Sequence, residues 1–535
     1  MKRKQFLNTL GGALAGASVA PLLTGCGSGP GGGTRQNVVI IMADDMGYSD
    51  IGCYGGEVST PNIDSLAEGG VRFTNFYNAA RCCPTRAALL TGQYPHRAGM
   101  GGMVSGECDR PLGPYQGWLN DNCITIAEGM SRAGYRSYMS GKWHVGECSQ
   151  AWPCNRGFDR FFGLVSGANS YWEMLEQPGR HRRMLIDNDE WYPPRQGFYM
   201  TDAFSDHAVQ FLQEHQSGEY SHQPFFLNLT YTAPHWPLHA WPEDIAKYRG
   251  RFKAGWDVLR QERHERMSQL GLIDPDLPLS PRDPEVPAWE DVPDKEHQQR
   301  LMEVYAAMID RMDQGIGKVM AQIKNMGADE NTLVLFLSDN GGCHESIEGR
   351  DLNQPGVAPG KPGSFVGYRR PWANLSNTPF RMFKHWIHEG GISTPLIARL
   401  PDTIKSPGTI NTSEVGHVID LMPTALDLAG INYPSGYEGR RIGPCDGRSL
   451  MPVFRGANRK GHEALYWEHM GNRAVRAGDM KLVAKKGGPW ELYNLCQDRV
   501  EMNNLINTHG GQAAELERMY AAWAEELGVD PERYN

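Results

Sequence analysis

The 535-residue sequence lacks a basic tract, and its 62 acidic residues outnumber the 53 basic ones, which gives a net charge of −9. A chain with this charge balance argues against nucleic acid as a partner. A convincing membrane span is also lacking near the N-terminus, where the apolar run is too short and too rich in glycine. Any site that binds an anion must therefore be a local feature of an acidic protein.

The first 26 residues have the pattern of an export signal. Basic residues at positions 2–4 precede an apolar run that ends in Leu-Thr-Gly-Cys at positions 23–26, which resembles a bacterial lipoprotein cleavage box. We predict a signal peptide over residues 1–26, a lipid on Cys26 and a flexible tether over residues 27–36. The protein is then exported, lies in the periplasm or at the cell surface, and meets the membrane only through this lipid. Secretion with cleavage of the signal and without a lipid is the alternative. The export route, Sec or twin-arginine, does not follow from the sequence.

The eleven cysteines do not define a disulfide pattern. Apart from Cys26 and Cys82 they number nine, so at least one thiol stays unpaired in a monomer. Four of them are close in sequence, namely Cys108, Cys123, Cys148 and Cys154. An exported protein can pair some of these, but their connectivity does not follow from the sequence.

Three continuous apolar runs share one design. Residues 37–42, 224–231 and 332–337 are apolar, and each run is followed by polar residues such as Asp44, His235 and Asp339. Runs of this length are typical of strands buried on both faces, as in a parallel sheet covered by helices. We therefore predict an α/β fold with a large, mixed, mostly parallel sheet sandwiched by helices. Ligands bind at the carboxyl ends of the strands in such sheets.

The helices and the domain boundaries follow from periodicity and composition. The clearest helix covers residues 298–325, where one apolar stripe predicts core packing, and Thr60-Pro61 predicts the cap and start of another. We assign residues 37–432 to a catalytic domain, with an insertion at about 250–296 that is charged and then rich in proline. Short strand-like pieces and a last helix over residues 513–527 predict a C-terminal subdomain, residues 433–535, built on a small antiparallel sheet.

Cys82 lies at a predicted helix start. Pro84 suits the first turn of a helix, and the run from residue 87 to 90 is a good helix former. The positive end of the helix dipole and the nearby Arg86 both favour an anion at the Cys82 side chain. Cys82 is therefore a candidate nucleophile, although a buried structural thiol is the commoner role for a cysteine beside a helix.

Six short motifs occur in the order found in the sulfatase family. They are Asp44-Asp45, Cys82-x-Pro84-x-Arg86 with Thr91-Gly92, Gly141-Lys142-Trp143-His144, Ala233-Pro234-His235, Asp339-Asn340-Gly341, and Lys384 with Glu389-Gly390-Gly391. From residue 37 to the C-terminus the chain thus resembles a type I, formylglycine-dependent sulfatase of the alkaline phosphatase-like superfamily. Gly255-Trp256-Asp257 with Arg260, and Trp467-Glu468-His469 with Gly471-Asn472-Arg473, resemble the arylsulfatase-like branch. Cys83 stands where the family usually has a small residue, yet the spacing still selects Cys82.

The resemblance implies a mechanism and a role for each residue. A maturation enzyme converts Cys82 to formylglycine, whose hydrate attacks sulfur with help from Arg86 and a calcium ion. Lys142 and Lys384 hold the sulfate oxygens. His235, with Lys384, donates a proton to the departing alcohol, and His144 removes the proton of the second hydroxyl.

The residue types at the predicted strand ends are those that bind a metal ion. Asp44, Asp45, Asp339 and Asn340 are hard oxygen ligands that suit one Ca²⁺ ion, with the modified Cys82 as a further ligand. For Asp44-Asp45 alone a helix cap or a turn would be the better interpretation. Three cations (Arg86, Lys142 and Lys384) and calcium outweigh the three aspartates by about two charges, which fits a sulfate ester.

Several aromatic and histidine side chains are weaker candidates for the pocket. For His239, a position on the surface and a contact with the substrate are equally plausible. His385 and His388 flank the Lys384 loop, and each is as well suited to face solvent as to face the site. Trp172, Trp191 and Tyr192 are candidates for the pocket wall, although aromatic residues more often belong to the core. The rim is expected to come from the insertion and from loops.

The expected reaction is hydrolysis of an aryl sulfate or a sulfated carbohydrate to the alcohol and inorganic sulfate. One alternative is a phosphate or phosphonate ester hydrolase of the same superfamily, since a fold does not settle function. A second cluster of Asp and His ligands would favour phosphate, and the sequence shows none. The other alternative is a silent surface protein that binds the ester without cleaving it.

Overall fold

A computed structural model describes residues 35–176, 183–349, 352–530 and 533–534. The predicted signal peptide, Cys26 and most of the tether lie outside these residues. The strands are β1 (Asn37–Asp44), β2 (Val71–Tyr77), β3 (Arg136–Gly141), β4 (Arg160–Leu164), β5 (Leu185–Asp187), β6 (Glu190–Trp191), β7 (Phe225–Pro234), β8 (Thr332–Ser338), β9 (Ser393–Arg399), β10 (Thr409–His417), β11 (Gly436–Tyr437), β12 (Arg440–Arg441), β13 (Leu465–His469), β14 (Asn472–Ala477), β15 (Met480–Ala484) and β16 (Glu491–Asn494). The helices are α1 (Pro61–Glu68), α2 (Cys82–Thr91), α3 (Ile126–Ser131), α4 (Met200–Ser217), α5 (Pro242–Tyr248), α6 (Gly255–Gln269), α7 (Lys295–Asn325), α8 (Arg369–Ser376), α9 (Glu389–Ile392), α10 (Leu421–Leu428), α11 (Met451–Phe454) and α12 (Gly510–Leu527).

The three apolar runs form the centre of a ten-stranded sheet. Its strand order is β10-β2-β9-β8-β1-β7-β3-β4-β5-β6, so the predicted strands β8, β1 and β7 are direct neighbours. These three and β3 run parallel to one another. Five of the nine strand pairings are parallel and four are antiparallel. The predicted mixed, mostly parallel sheet is confirmed.

Strand β1 shows why its sequence is apolar without alternation. Val38, Ile40 and Met42 point into one buried cluster, to which α2, α3, α10 and α12 contribute side chains. The alternate residues Val39 and Ile41 point into a second cluster on the other face, formed with α1, α4, α5 and α7. Because both faces are covered, every side chain of the strand avoids water, as the prediction of a sandwiched sheet requires.

The long predicted helix is α7, which begins three residues earlier than the apolar pattern indicates. The carboxylate of Asp294 accepts a hydrogen bond from the backbone N–H of His297 and caps the helix. The predicted stripe lies in the second cluster, with only Met320 partly exposed. Gly327 beyond the helix end adopts a φ of +68°, a conformation that glycine takes without strain.

The predicted cap of α1 is wrong in its chemistry. Pro61 begins the helix, but the hydroxyl of Thr60 donates to Asp64 instead of capping the first turn. The free N–H groups of Asn62 and Ile63 are satisfied by the carboxylate of Asp313 on α7, at 3.2 and 2.8 Å. A tertiary contact thus replaces the local cap.

The proline-rich insertion carries the helix α6, which packs against α8, and a 3-10 turn over Trp289–Asp291. Trp256 of the predicted arylsulfatase-type motif contacts the rings of Trp289 and Trp372 at centroid distances of 4.7 and 5.2 Å. Arg260 donates to the carbonyl of Ser280. These motif residues therefore hold the insertion in place and do not reach the strand ends.

One disulfide is present among the described residues, between Cys108 and Cys148. Cys123 and Cys154, the other two cysteines of that sequence neighbourhood, are free thiols. No helix in the described part of the chain is long and apolar enough to cross a membrane.

The C-terminal sheet has the order β13-β14-β15-β16 and is antiparallel throughout, as predicted. A buried charge network joins it to the rest of the molecule. The ammonium of Lys481 on β15 lies 2.9 Å from Glu389 of α9 and 2.8 Å from Glu501, and all three side chains are fully buried. Glu389 also accepts a hydrogen bond from Tyr77 at the end of β2.

Replacement of Lys481 by methionine should destabilise the protein strongly. The change removes the cation that Glu501 pairs with and leaves Glu389 with Arg499 at 3.5 Å. Breaking a buried ion pair in this way typically costs about 3–5 kcal/mol. Calorimetric melting of the purified variant measures the effect. Lys460→Met is the matched control, because Lys460 is 80% exposed and should melt like the wild type. Equal melting temperatures for the two variants would contradict a role for the network.

Candidate active site

The polar residues that follow four parallel strands meet at one edge of the sheet. Asp44 ends β1 and Asp45 follows it, Lys142 follows β3, His235 follows β7, and Asp339 follows β8. All five side chains are 5% exposed or less. This convergence is the geometry that the sequence predicted for the carboxyl ends of adjacent parallel strands.

Three buried cations each pair with a buried aspartate. The shortest ionic contacts are Lys142 to Asp44 at 2.5 Å, Lys384 to Asp45 at 2.7 Å, and Arg86 to Asp339 at 2.8 Å. Arg86 also lies 3.8 Å from Asp44 and donates to the backbone carbonyl of Lys142. The pairing satisfies charges that would be costly to bury alone.

Two side-chain oxygens in this cluster have no hydrogen-bond partner among the described residues. They are Oδ1 of Asp44 and Oδ1 of Asn340, and both residues are fully buried. Asn340 donates through Nδ2 to Oδ1 of Asp45 at 2.7 Å, which directs its own oxygen away from a donor. Burial and the charge of Asp339 raise the pKa of Asp44. Unpartnered oxygens among buried carboxylates fit a hard divalent cation such as Ca²⁺.

Cys82 begins α2, as predicted, and is buried. The preceding Arg81 is the N-cap residue, and its side chain makes no capping hydrogen bond. A hydrogen bond from Cys83 and the positive charge of Lys142 lower the pKa of the Cys82 thiol, although burial acts in the opposite direction. Position 82 is therefore held where negative charge is stabilised.

His144 lies beside the two cysteines. Its ring nitrogens are 3.4 and 3.5 Å from the sulfur of Cys83, and its ligand atom lies within 4.8 Å of both cysteine sulfurs. Burial lowers the pKa of His144 to about 4, so the imidazole is neutral at pH 7. Gly167 packs against this ring, because a Cβ atom at that position would come within 2.7 Å of it.

His235 and Lys384 stand together at Asp45. Nε2 of His235 is 3.3 Å from Oδ2 of Asp45, the oxygen that also accepts from Lys384. Nδ1 of His235 lies 2.6 Å from the carbonyl of Trp236, so this nitrogen carries the proton. Burial and the charges of Lys384 and Lys142 hold the pKa of His235 well below its usual range. Burial lowers the pKa of Lys384, but the Asp45 carboxylate outweighs it and the net pKa is raised.

A cavity of about 220 Å³ opens onto these groups. Four of the predicted site residues line it, and the other lining residues were not singled out from the sequence. The lining consists of Arg81, Cys82, Met103, His144, Gly167, Ala168, Arg183, His235, Trp236, Glu345 and Lys384. Arg86 and Lys142 lie deeper and do not line it.

The rim of the cavity differs from the expectation, because no described residue of the insertion lines it. The rim comes from loops that follow the strands and from the residue before Cys82. Arg81, Arg183 and Glu345 are charged residues of the lining that the sequence did not single out, and Arg81 and Glu345 form an ion pair of 2.9 Å. Their only signal in the sequence is that they neighbour predicted motifs, Arg81 before Cys82 and Glu345 after Asp339.

The weaker candidates do not reach the cavity. His239 is buried rather than on the surface and interacts with the carbonyl of Ser364 at 2.6 Å. His388 is buried against Glu491 rather than in solvent, while His385 is partly buried beside Asn472. Trp191 is 48% exposed. Trp172 packs on Tyr199, and Tyr192 packs on Phe162, so neither residue forms the cavity wall.

Known proteins resemble this chain over most of its length. The family profile described as Sulfatase matches residues 36–431, and the profile described as N-sulphoglucosamine sulphohydrolase, C-terminal, matches residues 380–523. An uncharacterized sulfatase of Schizosaccharomyces pombe is 35% identical over 540 residues, which cover 92% of this chain and 94% of the relative. An arylsulfatase of Klebsiella aerogenes is 34% identical over 452 residues, which cover 82% of this chain and 96% of that one.

The fold is likewise shared with solved structures. Ps i-CgsB, in complex with k-i-k-neocarrahexaose, superposes with a TM-score of 0.68 at 25% sequence identity, covering 93% of this chain and 94% of the other. The fold consists of a mixed sheet covered by helices and a small C-terminal antiparallel sheet, and the motifs that carry the chemistry meet at one edge of the large sheet. Together with a family profile that matches most of the chain, these features show that the protein belongs to the sulfatase family and is a sulfuric ester hydrolase.

Proposed function

We propose that the protein hydrolyses a sulfate ester of a carbohydrate or phenol in a calcium-dependent reaction that uses formylglycine made from Cys82. The observation that carries the proposal is the position of Cys82. It is buried at a helix start near the charges of Lys142 and Arg86. The same cluster contains two oxygens, Oδ1 of Asp44 and Oδ1 of Asn340, that have no partner among the described residues. A sulfate ester brings a negative charge to this position, and the reaction increases the charge on its oxygens.

Asp44, Asp45, Asp339 and Asn340 would hold the calcium ion, with position 82 as a further ligand. The ion would supply positive charge beside position 82 and the sulfate oxygens. Formylglycine would supply, as its hydrate, one hydroxyl to attack sulfur and a second whose deprotonation expels sulfate. Arg86 is fixed by Asp339 and by the carbonyl of Lys142, so its charge is positioned without further rearrangement.

Proton transfer falls to three side chains of the cavity. His144 is neutral and lies beside position 82, so it can accept the proton of the second hydroxyl. His235 is oriented by its bond to the Trp236 carbonyl, and its Nε2 lies 3.3 Å from the Asp45 oxygen that also accepts from Lys384. The lowered pKa of His235 leaves its imidazole neutral at pH 7, so the proton for the departing oxygen would come from the ammonium of Lys384. Its raised pKa means that this ammonium gives up the proton only as negative charge builds on that oxygen. His235 then positions that ammonium and the oxygen.

We further propose that the mature protein is exported and held at the periplasmic or outer surface by a lipid on Cys26. Its maturation requires a partner enzyme that recognises Cys82, Pro84 and Arg86 in the extended chain, because these residues are buried after folding. The acidic net charge argues against nucleic acid as a partner. The local cations Arg86, Lys142 and Lys384 support a small sulfated substrate or glycan.

Cys82 should be the modified residue and the essential one. Mass analysis of the peptide that contains Cys82 and Cys83 should show an aldehyde at position 82 and a thiol at position 83. Turnover of 4-nitrophenyl sulfate should fall by about 10⁴-fold or more in Cys82→Ala. Cys83→Ser is the control and should keep its aldehyde and most of its turnover.

Full activity in a preparation whose Cys82 remains a thiol would contradict the proposal. Parallel assays with 4-nitrophenyl phosphate decide the main alternative, since a phosphatase would prefer that ester. A protein that binds the sulfate and cleaves neither ester, despite a mature Cys82, would be the silent form.

Removal of the divalent cation should lower both activity and stability. Dialysis of the mature enzyme against a chelator should abolish turnover and reduce the melting temperature, and Ca²⁺ should restore both better than Mg²⁺, which demands six ligands in strict geometry. Calcium at about 100 times its Kd would add about 2.7 kcal/mol of stability. Asp339→Asn should weaken the calcium response, whereas the exposed Asp276→Asn should not. Unchanged turnover in the chelated enzyme would exclude the ion from the reaction.

The pH dependence should reflect the neutral imidazole of His144. An imidazole with a pKa of about 4 is unprotonated above that pH and can act as a base, and it becomes protonated as the pH falls through 4. We therefore expect kcat to decline only below about pH 5. Rates measured from pH 3.5 to 8, after preincubation controls for stability, test this. An acid limb centred near 6.5, the ordinary histidine value, would contradict a base whose pKa is lowered by burial.

A further inference from the structure

The charged pair at the cavity rim has no part in the proposed chemistry. Arg81 and Glu345 face each other at 2.9 Å, with side chains that are 17% and 23% exposed. The second oxygen of Glu345 accepts a hydrogen bond from Nε1 of Trp236 at 3.0 Å. All three residues line the cavity that contains Cys82. The pair therefore lies where the part of the substrate attached to the sulfate must pass.

The two groups stay charged throughout the neutral pH range. Burial raises the pKa of Glu345, but Lys384 and Arg81 outweigh it and the net pKa is lowered. The pair is neutral in sum, so it adds little to the attraction of the sulfate, which the deeper cations provide. Its contribution is hydrogen bonding: a guanidinium offers five N–H donors and a carboxylate about four acceptor positions, more than the two partners use on each other.

A ligand that matches this pair must both donate and accept hydrogen bonds. The hydroxyl groups of a sugar do so, whereas the ring of a simple aryl sulfate does not and would leave polar groups of the pair unsatisfied. The cavity of about 220 Å³ is smaller than the roughly 300–1,000 Å³ of pockets that enclose a drug-sized ligand. It thus has room for one sugar unit, with the remainder of a glycan outside.

We propose that Arg81 and Glu345 bind hydroxyl groups of the sugar unit that carries the sulfate, and so select sulfated carbohydrates over aryl sulfates. This inference rests on the proposed sulfatase reaction and names its substrate class. Glu345 is in this sense a specificity residue, and Trp236 positions it through the indole N–H.

The test compares the ratio of two kcat/KM values in wild type and variants. The substrates are 4-nitrophenyl sulfate and a panel of the 6-sulfates of galactose, N-acetylgalactosamine and N-acetylglucosamine. We expect at least one sugar sulfate to exceed the aryl sulfate in the wild type. Glu345→Gln should reduce the ratio of sugar to aryl turnover by about 10- to 100-fold, the worth of hydrogen bonds to a charged group.

Two further variants make the result interpretable. Glu348→Gln is the matched control: Glu348 lies in the same loop, pairs with Arg369 at 2.7 Å, does not line the cavity, and should leave the ratio unchanged. Trp236→Phe removes the indole donor to Glu345 and also shortens a ring that packs against His235, an effect common to both substrates that cancels in the ratio. It should reduce the ratio by a few fold, which keeps the test valid if Glu345→Gln does not fold. Mass analysis of residue 82 in each variant corrects for incomplete maturation.

The outcomes separate this inference from the proposed function. A wild type that cleaves 4-nitrophenyl sulfate faster than every sugar sulfate overturns the inference and leaves the sulfatase reaction intact. An equal loss for both substrate classes in Glu345→Gln also overturns it, because the residue would then serve the common chemistry. A mature wild type that cleaves no sulfate ester would overturn the proposed function itself.

Discussion

The mutual neutralisation of buried charges at one edge of the sheet is the constraint on which the rest of the structure depends. Asp44, Asp45 and Asp339 lie beside three buried cations, and no member of this set is more than 2% exposed. An isolated buried charge costs several kcal/mol, so each segment that supplies one must be held in register with the others. The parallel pairing of β1 with β7 and β8 provides that register for residues almost 300 positions apart.

Pairing of buried charges also attaches the C-terminal subdomain to the rest of the molecule. Lys481 reaches across to Glu389 of the short helix α9, which follows Lys384 by five residues. The close approach of Gly391 to the Trp386 carbonyl, 1.9 Å from where a Cβ atom would stand, explains why that turn contains glycine. The subdomain therefore fixes the loop that carries Lys384 into the site, and a contact that concerns stability also supports the cavity.

Much of the fold could be predicted because burial leaves a local pattern. The continuous apolar runs of β1, β7 and β8 indicate strands that are covered on both faces, and the apolar stripe of α7 indicates a helix that is covered on one face. The cap of α1 could not be predicted, because Asp313 is distant in sequence and replaces the local Thr60. His239 failed as a candidate for the same reason: its partner is the carbonyl of Ser364, 125 residues away.

The sequence by itself determined the fold class and the family, because the spacing and order of the motif residues are properties of the chain alone. Only the tertiary structure decided which cation pairs with which carboxylate, that Asp44 and Asn340 each have an oxygen with no partner among the described residues, and that Arg81 and Glu345 line the cavity. These depend on distances between segments far apart in the chain. Such distances are set by how strands and loops pack, and no local pattern records them.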